Sequence, residues 1–244
     1  MIFNGISKEF LQVVRGVERK VIAPIEHHIR PNRKYGGRIT RTQLRVLELT
    51  VPVFLTRPVG TTWEQVKMEI SGWLQHPEDK TLAFKSTKNT GSPHHYNARL
   101  NSIDLPSEDY DHLEGVITFI CQDPFRFSDE VKRNLPAGNN DPFNIDAHVE
   151  MPWKTKTIFT EASSTFSLQY LGKVGSELET VLLNYNFISG DSLEIDSYRR
   201  KVTLNGKNLA VSLSLSSNWF LLMPGDNSIK ASHKSELSYF RRYY

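Results

Sequence analysis

Apolar and polar positions alternate most clearly in the last quarter of the chain. Leu193-Glu194-Ile195-Asp196 and Val202-Thr203-Leu204 read as short strands. A third apolar run, from Trp219 to Ile229, follows. Tight-turn residues end these runs. Asn205-Gly206 suits the two positive-φ positions of a type I′ hairpin. Pro224-Gly225 suits the centre of a type II turn, because proline presets φ and glycine accepts a positive one. Regular short strands with turn signals between them predict an antiparallel β-sandwich over 146–232.

Upstream, residues 10–22 read as a strand broken at Gly16. Residues 23–43 read as a charge-dense loop, punctuated by Pro24, Pro31, Gly36 and Gly37. Such a length without structure suggests function or order that depends on a partner. Residues 44–55 alternate and predict a strand, with Pro52 confined to an edge or bulge. One helix stands out. Thr61 can cap it and Glu64, three residues later, completes a capping box. Trp63, Val66, Ile70, Trp73 and Leu74 then recur at helical spacing on one face, and Pro77 stops the pattern. That face must be buried against a sheet. Further strands are predicted at 81–85, 96–105 and 115–121. Residues 128–145 are polar and rich in proline and glycine, which places a domain boundary there. The expected domains are 1–138 and 139–244. The aromatic tail 235–244 should add a strand to some sheet.

Composition changes this picture little. The 244 residues, 39% of them apolar, suffice for one large or two medium domains. The net charge of +3 is small but uneven. Ten basic residues lie between Lys8 and Arg45, opposed by Glu9, Glu18 and Glu26 alone. Arg30, Arg33, Lys34, Tyr35, Arg38 and Arg41 are the candidate contact residues of that stretch. Three readings stay open for it: a solvated loop, a protein–protein contact, or direct nucleic-acid binding. Tyr35 is the only aromatic there to stack a base. Cys121 is the single cysteine, so no intrachain disulfide can form, as suits a reducing cytoplasm. It sits in an apolar run and reads as a small core residue. The start of the chain lacks the features of a signal peptide, and no segment is apolar enough to span a bilayer.

The candidate chemistry is sparse. His27-His28 and His94-His95 are adjacent pairs, and neighbours on a strand point to opposite faces, so neither chelates one metal well. Glu108, Asp109, Asp111 and Glu114 read as a solvated acidic turn. Nucleophile-elbow, phosphate-loop and Cys-x-x-Cys motifs do not occur. The expectation is a non-enzyme without cofactor or metal. The alternative from another class is a carbohydrate-binding module, with Tyr185, Tyr198 and Trp219 as its candidate aromatics.

Four pieces occur in a telling order. They are Phe3-Asn4-Gly5; the tryptophan-bearing helix; Tyr96-Asn97-Ala98-Arg99-Leu100 ahead of Gly115 to Ser128, with its Phe119-Ile120-Cys121-Gln122-Asp123-Pro124-Phe125 junction; and Trp219 followed by Leu222-Met223-Pro224-Gly225-Asp226-Asn227. In this order the chain resembles the distal tail proteins of siphophages. The resemblance implies an N-terminal β-barrel or sheet domain with one flanking helix, and a galectin-like C-terminal β-sandwich. It also implies a hexameric ring around the channel that DNA crosses without specific binding. Such a ring joins the tail tube protein to the tail-tip protein and receptor-binding protein, in the virion, after assembly in the host cytoplasm. The outer domain's expected glycine-rich start is matched only loosely, near Leu171 to Gly175.

Overall fold

The structure, a computed structural model, describes residues 1–14, 22–32, 34–84, 94–105, 111–172 and 178–244. It divides into two compact units, Met1–Phe127 with Tyr244, and Ser128–Tyr243. The division falls at 127/128, where the sequence suggests 138/139.

In the first unit β1 (Ile2–Phe3), β2 (Leu11–Val13), β3 (Ile25–Pro31), β4 (Gly37–Leu44) and β5 (Leu47–Thr56) precede helix α1 (Trp63–Leu74). β6 (Lys80–Ala83), β7 (His95–Asp104) and β8 (His112–Cys121) follow, and β9 (Arg126–Leu135) carries the chain out of the unit. β7, β8, β5 and β2 are neighbours in one antiparallel sheet, with β6 and β1 branching from β7. β5 shows why this sheet has a core side. Leu47, Leu49, Val51, Val53 and Leu55 are all buried, while the residues between them are not. Pro52 sits where β2 ends, and there its carbonyl accepts from the Val14 amide at 3.0 Å.

The apolar stripe of α1 packs on that buried side, with Trp63, Val66, Ile70, Trp73 and Leu74 all in the core, as their spacing predicts. Its cap differs by one residue from the sequence reading. Thr62, not Thr61, accepts from the Gln65 amide at 3.3 Å, and the Gln65 side chain accepts from the Thr62 amide at 2.9 Å. Thr61 is taken up by the preceding turn, where its hydroxyl donates to the Pro58 carbonyl at 2.7 Å. The indole of Trp73 donates to the Phe3 carbonyl at 3.1 Å, and Phe3 itself is fully buried against Phe119. Asn4 and Gly5 both adopt positive φ, which turns the chain immediately after that anchor.

The second unit holds β10 (Asn140–Ile145), β11 (Trp153–Ile158), β12 (Ser163–Tyr170), β13 (Glu179–Phe187), β14 (Ser192–Asp196), β15 (Lys201–Leu204), β16 (Lys207–Asn208), β17 (Gly225–Ala231) and β18 (Ser235–Tyr243). One sheet runs β16-β15-β14-β11-β18-β9 and the other β10-β17-β12-β13. Both sheets feed one core, centred on Trp153, Phe159, Phe166, Phe187, Leu222 and Leu237. This is the expected two-sheet sandwich, and the whole chain is mainly β with one α-helix. The aromatic tail adds a strand as expected, pairing as β18 with β11. Asn205 and Gly206 take positive φ between β15 and β16, the hairpin signature read from the sequence. Gly225 does so after Pro224. Asn227 locks that turn from inside the core: it accepts from Tyr170 (2.9 Å) and the Met223 amide (3.0 Å), and donates to the Met223 and Gly225 carbonyls (both 2.8 Å).

Two segments depart from the sequence reading. Residues 128–145 are not a linker: β9 and β10 occupy most of them. Their charges misled because they are satisfied within the sandwich. Arg133 of β9 donates to Asp141 of β10 at 2.8 Å and lies over the Phe143 ring at 4.7 Å. Residues 23–43 are not a loop either, but largely the β3–β4 hairpin.

Trp73→Ala removes a core aromatic and one of two hydrogen bonds to the Phe3 carbonyl, which keeps that from the Ile6 amide at 3.0 Å. Chemical denaturation is expected to show a loss of about 3–5 kcal/mol. An unchanged midpoint would place the indole outside the core.

Candidate functional site

The β3–β4 hairpin is the most unusual feature of the first unit. Among the described residues its strands pair only with each other, and nearly all of its side chains are exposed. A lone two-stranded sheet is marginal in water. The register explains what shape it takes. Ile25 faces Leu44, His27 faces Thr42 and Ile29 faces Ile39. His28 faces Arg41 and Arg30 faces Arg38, after a bulge at Thr40. Paired residues share a face, so one side of the hairpin is apolar and the other is basic.

Both faces are unsettled by themselves. Ile25, Ile29 and Ile39 are each about half exposed or more, with Ile29 at 62%. On the other face, like charges stand directly opposite one another, which is destabilising. Among the described residues Arg30, Lys34, Arg38 and Arg41 form no ion pair. Tyr35 stands at the tip, 89% exposed. Gly36 takes positive φ there, and a Cβ on Gly37 would come within 2.5 Å of Ile29. Both glycines are therefore needed for the turn. Arg33 lies outside the described residues, as do Glu108, Asp109 and Lys173 to Gly175.

Only the base of the hairpin is clamped. Glu26 pairs with Arg45 at 2.6 Å and accepts from Gln43 at 3.1 Å. These two hydrogen bonds, that from Arg45 the stronger, lower the Glu26 carboxyl to about 2. The His27 ring meets the Thr42 hydroxyl at 3.0 Å across the ladder.

The other candidates scatter. Asp111 is ion-paired with Arg57, which lowers its pKa, and Glu114 lies on β8. Cys121 is fully buried, and burial pushes its thiol up to about 12. Among the described residues no group of three His, Cys, Asp or Glu is placed to hold a metal. The candidate sugar-stacking aromatics do not share an element. Tyr185 is on β13, Tyr198 is in the β14–β15 turn, and Trp219 packs against the core. The outward side of β14, β11, β18 and β9 carries a self-neutralising row of charge, with Lys156–Glu194 at 2.9 Å, Lys154–Asp196 at 3.3 Å and Lys132–Glu236 at 3.5 Å.

Sequence reasoning named the basic residues of the hairpin but missed its apolar face. The signal was present, since Ile25, His27 and Ile29 alternate.

Comparison with known proteins bears directly on this geometry. Residues 146–243 match the siphovirus-type tail component, C-terminal domain. The distal tail protein of Bacillus phage SPP1 is 26% identical over 211 residues, spanning 85% of this chain and 81% of that protein. The solved structure of SPP1 Dit, a hub of the adsorption apparatus in phages infecting Gram-positive bacteria, shares the fold at a TM-score of 0.82 and 18% identity, covering 100% of this chain and 98% of that one. A chain of the activated phage P2 baseplate matches at a TM-score of 0.60 and 10% identity, over 95% of this chain and 90% of that one. A two-unit β protein of this fold, with a tail-component sandwich, is a structural component of a phage tail. More narrowly, the chain is similar over most of its length to a distal tail protein of a siphophage, and its second unit carries the siphovirus-type tail component domain.

The clamp at Glu26 has a measurable consequence. A depressed folded pKa means its contribution is present above the ordinary carboxylate range and is lost as pH falls from about 4 towards about 2. In an NMR titration Glu26 is expected to titrate near the lower value, and Arg45→Ala should return it towards the ordinary range. An ordinary Glu26 titration in the unsubstituted protein would remove the clamp from this description.

Proposed function

We propose that the protein forms a closed ring, six copies as the family resemblance implies, at the distal end of a siphophage tail. The ring links the tail tube protein to the tail-tip protein and to the receptor-binding protein it carries, around the channel that DNA crosses. The observation that carries this reading is the unpartnered hairpin. A β-hairpin with a bare apolar face and opposed cations gains most when another protein surface covers the one and neutralises the other. Self-association of identical chains in a closed ring supplies that surface for every copy. A lone buried cysteine agrees with assembly in a reducing host cytoplasm.

The same reading sets what the cations do not do. DNA must slide through the channel, and tight neutralisation of phosphates would add a steeply salt-dependent grip. Arg30, Lys34, Arg38 and Arg41 therefore meet acidic groups of protein partners, not DNA. The small net charge of +3 supports this, since dedicated DNA binders carry a larger basic excess.

Sedimentation of the purified chain with negative-stain imaging is expected to show rings whose population grows with concentration. A protein that stays monomeric at high concentration would contradict the ring. Duplex DNA titrated at low salt is expected to bind weakly. Micromolar affinity with a steep salt slope would move the hairpin into the channel as a DNA contact.

A further inference from the structure

The chain contains two Asn-Gly pairs, Asn4-Gly5 and Asn205-Gly206. Both close two-residue hairpin turns of the type I′ form, with positive φ at each position: 51° and 76° in the first, 50° and 78° in the second. The first joins Phe3 to Ile6, which exchange backbone hydrogen bonds at 2.9 and 3.0 Å, and the second joins Leu204 to Lys207. Both asparagines are exposed, and a Cβ at either glycine would meet nothing within 4 Å, so solvent reaches both turns. The backbones are matched, but the side chains are not. Asn205 is tied at both ends of its amide: Oδ1 accepts from the Ser192 amide at 2.9 Å, and Nδ2 donates to the buried Asp191 at 2.8 Å. The Asn4 side chain makes no hydrogen bond among the described residues.

An asparagine followed by glycine can lose its side-chain amide, because glycine lacks the Cβ that would shield its backbone nitrogen. That nitrogen attacks the asparagine Cγ; a C–N bond forms and the Cγ–Nδ2 bond breaks. The glycine amide proton leaves with Nδ2 as ammonia, and a succinimide ring remains. Water opens the ring at one carbonyl or the other, giving aspartate or isoaspartate. The attack needs the side chain free to swing Cγ onto the next nitrogen while the turn opens. We propose that Asn4 is a site of spontaneous deamidation and that Asn205, in the same kind of turn, is protected by its two hydrogen bonds. The position of Asn4 gives the reaction a structural consequence. Isoaspartate carries the backbone through Cβ, one atom longer, and the Phe3–Ile6 turn cannot absorb that atom with both of its hydrogen bonds kept. Phe3 is what this turn holds in place: its ring is buried against Phe119, and its carbonyl accepts from the Trp73 indole at 3.1 Å as well as from the Ile6 amide. Conversion at Asn4 therefore loosens the anchor between β1 and α1.

Incubation of the purified chain at mildly alkaline pH, followed by peptide mass mapping and enzymatic isoaspartate labelling, tests the assignment. Asn4 is expected to convert at least about tenfold faster than Asn205, the difference that two ordinary hydrogen bonds make. The same incubation in concentrated urea is expected to bring the two rates together, since urea removes the turns and the ties alike. Asn4→Gln is expected to end conversion in the N-terminal peptide. The converted fraction, separated by its added negative charge, is expected to unfold at a lower thermal midpoint than the unconverted one. Equal rates in the folded chain, or faster conversion at Asn205, overturn the protection. Conversion of Asn4 in urea but not in the folded chain overturns the site. Equal midpoints overturn its link to the Phe3 anchor.

Discussion

A sheet that buries neither face cannot hold its geometry by its own contacts, and the β3–β4 hairpin is such a sheet. Two cores gather the buried apolar side chains: α1 and the inner side of β5 in the first unit, two facing sheets in the second. In the hairpin, Ile29 faces Ile39 across the ladder, and Arg30 faces Arg38. The Glu26–Arg45–Gln43 clamp closes the base and Gly36-Gly37 closes the tip. Between them, among the described residues, the opposed cations form no ion pair and the isoleucines stay about half exposed or more. That imbalance ties a structural observation to an assembly role.

The second unit behaves in the opposite way. Its outward charges are matched across neighbouring strands, its inward Arg133 is held by Asp141 and Phe143, and Asn227 satisfies its turn with four hydrogen bonds. Surface ion pairs of this kind add little stability. Their effect is to match charge locally on that side of the sheet.

Much of this was legible from residue order. The helix was, because five apolar residues at helical spacing admit one burial face, and all five are buried. The turns at Asn205-Gly206 and Pro224-Gly225 were, because few residues accept positive φ. The cap was misplaced by one position because two threonines are adjacent, and the Pro58 turn decides between them. The strands β9 and β10 were hidden because Arg133, Asp141 and Pro142 look like linker residues. Their charges are neutralised only by each other, across a separation that local pattern does not span. The hairpin was hidden for a related reason. Its cations were plain to see, but its pairing register and the bulge at Thr40 decide which of them share a face.

The central claim is that the hairpin is completed by another copy of the chain. Hydrogen–deuterium exchange measures it most directly, by comparing backbone amides of residues 25–44 in dilute monomer and in the assembled state. The claim requires fast exchange in the monomer and strong protection on assembly at those amides. Equal protection of 25–44 in both states would contradict it, since the hairpin would then be stable without a partner.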